Sequence, residues 1–422
     1  MGYLRDRLEY FAGAVKSKDG KTLSQNFAYL TLVQVVGAIL PFITIPYLSR
    51  VVGVSGFGHI AFAAAIIAWV QTIVDWGFNY SATREVSKNR DNVAVLSRIF
   101  TDVFWSKVLL SSVCFAILAV LTLFIPVMRQ NALIMFFTFL SVPGSILFPE
   151  WFFQGLEKMK YIAIVNLLVR VAFTISIFFV IREPDDYIYQ PLLMSAGFIV
   201  SGIFCFILIR RKWGVRVMWP NMKSVVAYIR GGFDVFLGNL FPTMYNNFSA
   251  VLLGAIGGPI PNGLYDGGNK FVSVAQQFVG VFGRTFYPYL SRHEEKHAVY
   301  ARFNLLLAGG VSVALFLAAP LIVHIFLTPE FESSITVLRI MSFSIFFLGL
   351  STVYCTNYLF VKGYDREARN ITIIASMTGF VLAWPMIKWF SFIGAAVNVT
   401  FTRALMGIMY MNSVIKHKKQ CK

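Results

Sequence analysis

Two stripes of polar side chains run through apolar sequence. Asn166, Arg170 and Thr174 stand four residues apart in one run, and Asp266, Lys270, Ser273, Gln277 and Arg284 follow one face of another. Intervals of three and four put such residues on one side of a helix. Shorter sets repeat the theme: Lys107 with Ser111, Asn239, Asn246 and Ser249 around Pro242, and Asn398, Thr402 and Arg403. An ionisable group deep in apolar surroundings is costly, so each marks a lined cavity or a paired site. The deep groups are mainly cationic: Lys107, Arg170, Lys270, Arg339 and Arg403. Guanidinium and ammonium groups facing a cavity predict an anionic ligand, held through phosphate or carboxylate. Arg170, Lys270, Arg403, Lys107 and Arg284 are therefore the expected substrate-binding cations, with Asn166, Asn246, Gln277 and Asn398 as polar lining. Plainer roles stand beside these. Asp266 and Lys270 neutralise each other at i and i+4. Arg284, Asp75, Glu150, Asp102 and Asp234 lie near the ends of runs, where a side chain reaches interfacial water.

The elements that would position these groups are membrane-spanning helices. Of the 422 residues 57% are hydrophobic and 14% charged, against about a quarter charged in a soluble domain. Apolar runs near 24–48, 57–80, 99–125, 131–153, 160–181, 188–209, 232–256, 263–288, 303–327, 335–360, 369–387 and 391–415 are long enough to cross a bilayer as helices. They are continuously apolar and lack the period-two alternation of a membrane barrel. The expected fold is an all-α polytopic membrane protein with about twelve spans. Residues 1–23 are polar and basic, so no cleavable signal peptide is expected; Leu4, Leu8, Phe11 and Val15 give them an amphipathic pattern suited to a membrane surface.

Charge fixes the expected orientation. On the twelve-span reading, 27 of the 37 Lys and Arg fall on the side holding both termini, four on the other side and six within spans. The positive-inside rule puts both termini in the cytoplasm. The net charge of +17 is thus an orientation signal, with no basic-aromatic domain for nucleic acid. The longest loop, 210–231, is basic and divides the chain into an N-lobe of six spans (24–209) and a C-lobe of six (232–415), ahead of a basic tail, 416–422. Six spans per lobe makes the lobes parallel repeats. A faint match agrees: LSRVVGVSGFGHIAF (48–62) against LGAIGGPIPNGLYDG (253–267) pairs Leu48 with Leu253, Gly53 with Gly258 and Gly58 with Gly263.

Several chemistries are excluded. Cys114, Cys205, Cys355 and Cys421 form no CxxC pair, and five scattered His give no metal motif, so no metal site or cofactor is expected. No GxxxxGK[ST] occurs, which leaves an ion, potential or substrate gradient as the energy source. The acidic pairs Asp185/Asp186 and Glu330/Glu332 stand on short loops with no base beside them, so no enzyme is expected.

PEWFFQGLEKMKYI (149–162), DWGFNYSATREVSK (75–88) and LPFITIPYLSRVVGVSGFG (40–58) resemble, in order, motifs of bacterial polysaccharide-repeat flippases of the Wzx type. These belong to the multidrug/oligosaccharidyl-lipid/polysaccharide exporter superfamily. The layout covers the whole chain; in the second half GLYDGGNK (263–270) is the best fragment. The resemblance implies two six-helix lobes in a V and alternating access. It implies transfer of an undecaprenyl-pyrophosphate-linked oligosaccharide, such as an O-antigen unit, between leaflets of the bacterial inner membrane. It also implies Lys270 as the basic group of the eighth span, and polymerase and chain-length proteins of the same pathway as partners. Asp75, Glu150 and Asp266 are the candidate groups for coupling to H+ or Na+ or for a gate, with Arg84 or Arg98 as partners for Glu150. Trp151, Phe152 and Phe153 are expected in the interfacial aromatic belt. A drug or metabolite antiporter of the same fold, a lipid II flippase and, more remotely, a membrane glycan polymerase or glycosyltransferase stay open as rivals.

Overall fold

The computed structural model of the chain describes residues 18–291 and 294–420. Most of the 1–23 segment, Arg292 and Cys421 lie outside them, as do the side chains of Asp234 and Arg284. The first half runs through α1 (Lys18–Asp75), α2 (Phe78–Lys88), α3 (Val93–Phe124), the short α4 (Pro126–Gln130), α5 (Ala132–Phe139), α6 (Ser141–Leu147) and α7 (Glu150–Gly155), then α8 (Met159–Val180) and α9 (Tyr189–Trp213). A surface helix, α10 (Met222–Gly231), leads into α11 (Phe233–Ile256), α12 (Pro259–Leu290), α13 (His297–Phe326), α14 (Ser334–Ser351) and α15 (Asp365–Gln420). A π-helical segment, Thr352–Leu359, extends α14. No strand occurs among the described residues.

Eight helical stretches among the described residues are long and apolar enough to cross a membrane. Two of these stretches, 50 and 54 residues long, each hold two of the apolar runs. They are broken by single non-helical residues, Gly53 in α1 and Ser391 in α15. The polar-striped α11 and α12 carry the other two runs. Every apolar run read from sequence therefore lies on helix, and the chain is an all-α, multi-pass membrane protein. Apolar side chains such as Leu123, Phe124, Leu168 and Phe179 are exposed, as expected of surfaces facing lipid.

Local chemistry sets the breaks. Asn92 caps α3, its side chain accepting from the Val95 N–H at 3.1 Å. Pro126 starts α4 after α3 ends at Phe124, and Gly214, in the left-handed region, ends α9.

The faint internal repeat is structural. Gly53 and Gly258 both have left-handed φ, 61° and 83°, conformations that favour glycine. Gly58 packs so closely on the backbone of Pro259 that a Cβ would overlap its carbonyl, and Gly263 packs in the same way on the carbonyl of Val54. Val54 and Pro259 are separated by the same 205 residues as Gly58 and Gly263. The contact is thus reciprocal, each half presenting the same pair to the other. Asn262 seals it by donating to the Gly58 carbonyl at 3.0 Å, and Leu48 and Leu253 are buried in the core around it.

The aromatic triplet departs from expectation. Trp151, Phe152 and Phe153 are 2%, 0% and 0% exposed, so they form no interfacial belt. Phe100 and Trp213 close around them at ring distances of 5.6 to 6.2 Å. α7 begins after Pro149 in a non-helical conformation, which turns its rings inward between α2, α3 and α9. Asp102 likewise is buried, not interfacial. The basic linker is strapped along α3: the Arg216 and Met218 N–H groups donate to Ser97 and Thr101, and Trp105 donates to the Met218 carbonyl at 3.1 Å. Tyr228 of α10 donates to Glu85, and burial with that carboxylate beside it pushes the phenol up from its ordinary value.

The crossing gives a test. Gly58→Ala is expected to destabilise the protein by about 1–3 kcal/mol, because backbone cannot move aside as a side chain can. Gly310, with open space around its Cα, serves as control: Gly310→Ala is expected to be neutral or stabilising by up to ~1 kcal/mol. Thermal melts of the two purified variants in one detergent decide it.

Candidate functional site

A string of adjoining cavities runs between and beside the spans. The widest, about 830 Å³, is lined by Thr72, Asp75, Asn79, Arg84, Ser87 and Gln154 from the first half and by Asn239, Pro242 and Thr243 of α11. Asp75 and Asn79 also wall a cavity of about 380 Å³ inside the first half, with Gln71, Lys107, Ser145 and Glu150. Met194 and Phe198 pass from that cavity to one of about 270 Å³ holding Asn166, Arg170 and Gln277. Gly37, Pro41, Phe173 and Gln277 are shared in turn with a cavity of about 310 Å³ holding Asp266 and Lys270.

The charges along this string are arranged in pairs. Lys107, 5% exposed, holds Asp75 at 2.8 Å. Gln71, one turn before Asp75, donates to its other carboxylate oxygen at 3.2 Å and to Ser145 at 2.9 Å. Removing two charges from water costs several kcal/mol each, and only close pairing with further hydrogen bonds offsets that. Glu150 accepts from Asn166 at 3.2 Å and lies within Coulombic reach of Lys107, Arg170 and Asp75. Arg170 fits against α1 because position 37 is glycine; a Cβ there would overlap its guanidinium. Lys270 pairs with Asp266 one turn earlier, and its ammonium also sits 5.3 Å from the centre of the Phe57 ring.

The sequence-expected residues divide. Arg170, Lys270, Lys107, Asn166, Gln277, Asp75, Glu150 and Asp266 all line the cavity string. Arg403 does not: it donates to Ser344 at 3.0 Å and to Asn246 at 2.8 Å within the second half. Asn398 is buried there too, donating to Ser249 at 3.2 Å. Asn246 is thus Arg403's acceptor within that half. The side chain of Arg284 is outside the described residues. Glu150 meets Asn166, not Arg84 or Arg98, while Arg84 and Gln154 line the wide cavity. The carboxylate that finds an arginine in the turn after α7 is Glu157, 2.6 Å from Arg90. That guanidinium holds Glu157 below the usual carboxylate range. Gln71, Ser145 and Gly37 were not expected. Gln71 lies four residues before Asp75 and Ser145 four after Ser141, a spacing that marks both as facing polar neighbours; Gly37 gives no such signal. No cluster of His, Cys, Asp and Glu among the described residues could hold a metal ion.

Two solved structures share this architecture. A lipid II flippase, MurJ, in an inward closed conformation superposes with a TM-score of 0.62 at 13% identity, over 92% of this chain and 87% of that one. An inward-facing multidrug resistance MATE family transporter also gives 0.62, at 12% identity, over 89% and 94%. At such identity the likeness is one of fold, the exporter fold of about twelve helices. Residues 23–294 match the family described as polysaccharide biosynthesis protein, and the chain belongs to that family. Its relatives include a "Putative O-antigen transporter" of Escherichia coli (strain K12), 27% identical over 94% of this chain and 98% of the relative. Another of the same name, from Shigella dysenteriae, is 25% identical over 93% and 100%. The resemblance to Wzx-type flippases read from three motifs is thus matched across the chain.

The buried pair carries its own prediction. Lys107→Met leaves Asp75 without its counter-charge and is expected to cost about 3–5 kcal/mol. The double variant Asp75→Asn with Lys107→Met is expected to recover most of that. A double-mutant cycle of unfolding in detergent measures the coupling; independent, additive losses would show that the pair is not the stabilising unit.

Proposed function

We propose that this chain flips an undecaprenyl-pyrophosphate-linked oligosaccharide from the cytoplasmic to the periplasmic leaflet of the bacterial inner membrane. The observation that carries the proposal is the string of adjoining cavities with Arg170 and Lys270 along it, in a chain of the polysaccharide biosynthesis family. Pyrophosphate carries its charge on oxygens that guanidinium and ammonium groups bind by charge-assisted hydrogen bonds. The polar walls, Asn166, Gln277 and Ser273, offer donors and acceptors suited to sugar hydroxyls. Open apolar surface between spans suits a polyprenyl tail that stays in lipid.

The orientation rests on the distribution of Lys and Arg, with both termini cytoplasmic. In that orientation the wide cavity beside Arg84, Ser87 and Gln154 opens to the cytoplasm, and the glycine crossing closes the opposite end. Alternating access then requires the two halves, divided at 210–231, to part at Gly58 and Gly263 and close around Gln154 and Asn239. Asp75 and Asp266 each share a cation with the cavity. When an anionic ligand takes Lys270, or a proton or Na+ takes the carboxylate, the pair is broken, which is one way to couple an ion to movement.

Arg170→Ala is expected to reduce glycan export at least about tenfold, the loss of one charge-assisted contact, without loss of protein from the membrane. Arg170→Lys keeps the charge and should retain part of the activity. The readout is the leaflet holding lipid-linked repeat units in a strain without the gene, complemented by each variant. Cytoplasmic-leaflet accumulation that wild type reverses and Arg170→Ala does not is the expected result. Normal periplasmic delivery without the gene would remove the glycan reading and favour an antiporter of the same fold. Full activity of Arg170→Ala would remove only the role given to Arg170.

A further inference from the structure

A separate groove of about 550 Å³ lies between α13, α14 and α15. Its walls are apolar and aromatic, with Phe316, Phe343, Phe347 and Phe401 among them, and its one charged group is Arg339. Phe343 and Phe401 are 49% and 42% exposed, so the groove opens outward, toward lipid. It shares no lining residue with the cavity string along which the transported molecule would pass.

Arg339 is the anomaly. It is exposed, and its guanidinium sits 5.5 Å from the centre of the Phe316 ring. Among the described residues it makes no ion pair. It lies five residues past Ser334, about 8 Å along the axis from the start of α14, the depth at which headgroups give way to hydrocarbon. A guanidinium at that depth on a lipid-facing wall reaches toward the headgroups, where lipid phosphates are the anions at hand. An aromatic ring on one side attracts the cation but supplies no acceptor for its N–H groups. A phosphate would accept two of them in parallel. The apolar channel leading away from Arg339 along Phe343 and Phe347 suits a hydrocarbon chain.

We propose that this groove is a binding site for an anionic phospholipid of the surrounding leaflet, its phosphate on Arg339 and one acyl chain along the phenylalanine wall. The separation from the cavity string argues for a resident lipid over the translocated one. The site braces α14 against α13 and α15 from the lipid side.

The test uses the full-length protein purified in mild detergent, with lipid retention read by native mass spectrometry and by thermal shift. The probes are phosphatidylglycerol, phosphatidylcholine and undecaprenyl phosphate. Wild type is expected to retain phosphatidylglycerol in preference to phosphatidylcholine and to gain thermal stability from it. Arg339→Gln is expected to weaken retention roughly tenfold or more, and Arg339→Lys to give an intermediate value. Ala404→Phe fills the groove without touching the charge and should lower retention as well. Equal retention by wild type and Arg339→Gln, or equal retention of the two phospholipids, would overturn the proposal. Displacement of phosphatidylglycerol by equimolar undecaprenyl phosphate would overturn it in favour of the carrier lipid.

Discussion

The arrangement depends on one close approach of backbone to backbone. Gly58 meets Pro259 and Gly263 meets Val54 with no room for a Cβ at either glycine. Because the same pair is offered from both halves, the contact is balanced about a local twofold axis, and it sets the distance between the second and eighth spans. The cavities follow from that distance. Helices pinned together at one end and diverging toward the other leave a cleft, and the widest cavity lies toward the far end, between Gln154 and Asn239. Buried apolar side chains, Leu48, Phe57, Leu253 and Phe331 among them, surround this contact, so parting it would expose apolar surface.

The second constraint is the low dielectric around every charge. The chain answers it in different ways. Arg403 donates to Asn246 and Ser344 inside one half. Lys107 is held by a carboxylate from a neighbouring span and nearly sealed. Lys270 has a carboxylate one turn away but stays about a third exposed, so a ligand can reach it. Arg170 stands in a cavity wall with space made for it by Gly37. A basic residue at depth thus says little by itself; what matters is which surface its side chain meets.

The spans were legible because burial in lipid demands long apolar runs, and no other element satisfies the backbone there. The internal repeat was legible from three coincident pairs: Gly58 with Gly263 proved to be the crossing itself, Gly53 with Gly258 proved to be positive-φ breaks, and Leu48 with Leu253 is buried in the core around them. Polar faces were legible as four-residue spacings, which is why Asn166, Arg170, Lys270 and Gln277 fall on the cavity string. Partners across spans were not. Lys107 and Asp75 are 32 positions apart, and nothing local couples them. Asn398 and Arg403 carry the same kind of spacing as the cavity residues yet turn inward, because periodicity reports that residues share a face and not what that face meets. The triplet Trp151, Phe152 and Phe153 misled for a related reason: aromatics beside charge mark an interface only if the helix runs on undisturbed, and here it breaks at Pro149.

That break explains why a carboxylate follows a proline in so apolar a stretch. A continuous helix from Ala132 would carry residue 150 on with its previous face. The non-helical backbone at Phe148 and Pro149 resets the direction, and the three buried rings anchor the short α7 so that it cannot swing. Glu150 is then aimed into the cavity between Lys107 and Arg170, with Asn166 donating to it. The charge two positions beyond α7 behaves differently, since Glu157 sits in a wet turn with Arg90 and contributes little to stability. One short segment thus combines a rigid aromatic anchor, an intramembrane carboxylate and a solvated turn. The carboxylate contributes to the potential at Arg170: an ionised Glu150 would partly offset the guanidinium's charge toward the anion proposed as its ligand. On the function proposed above, a residue that need not touch the ligand would thus temper the cavity's hold on it.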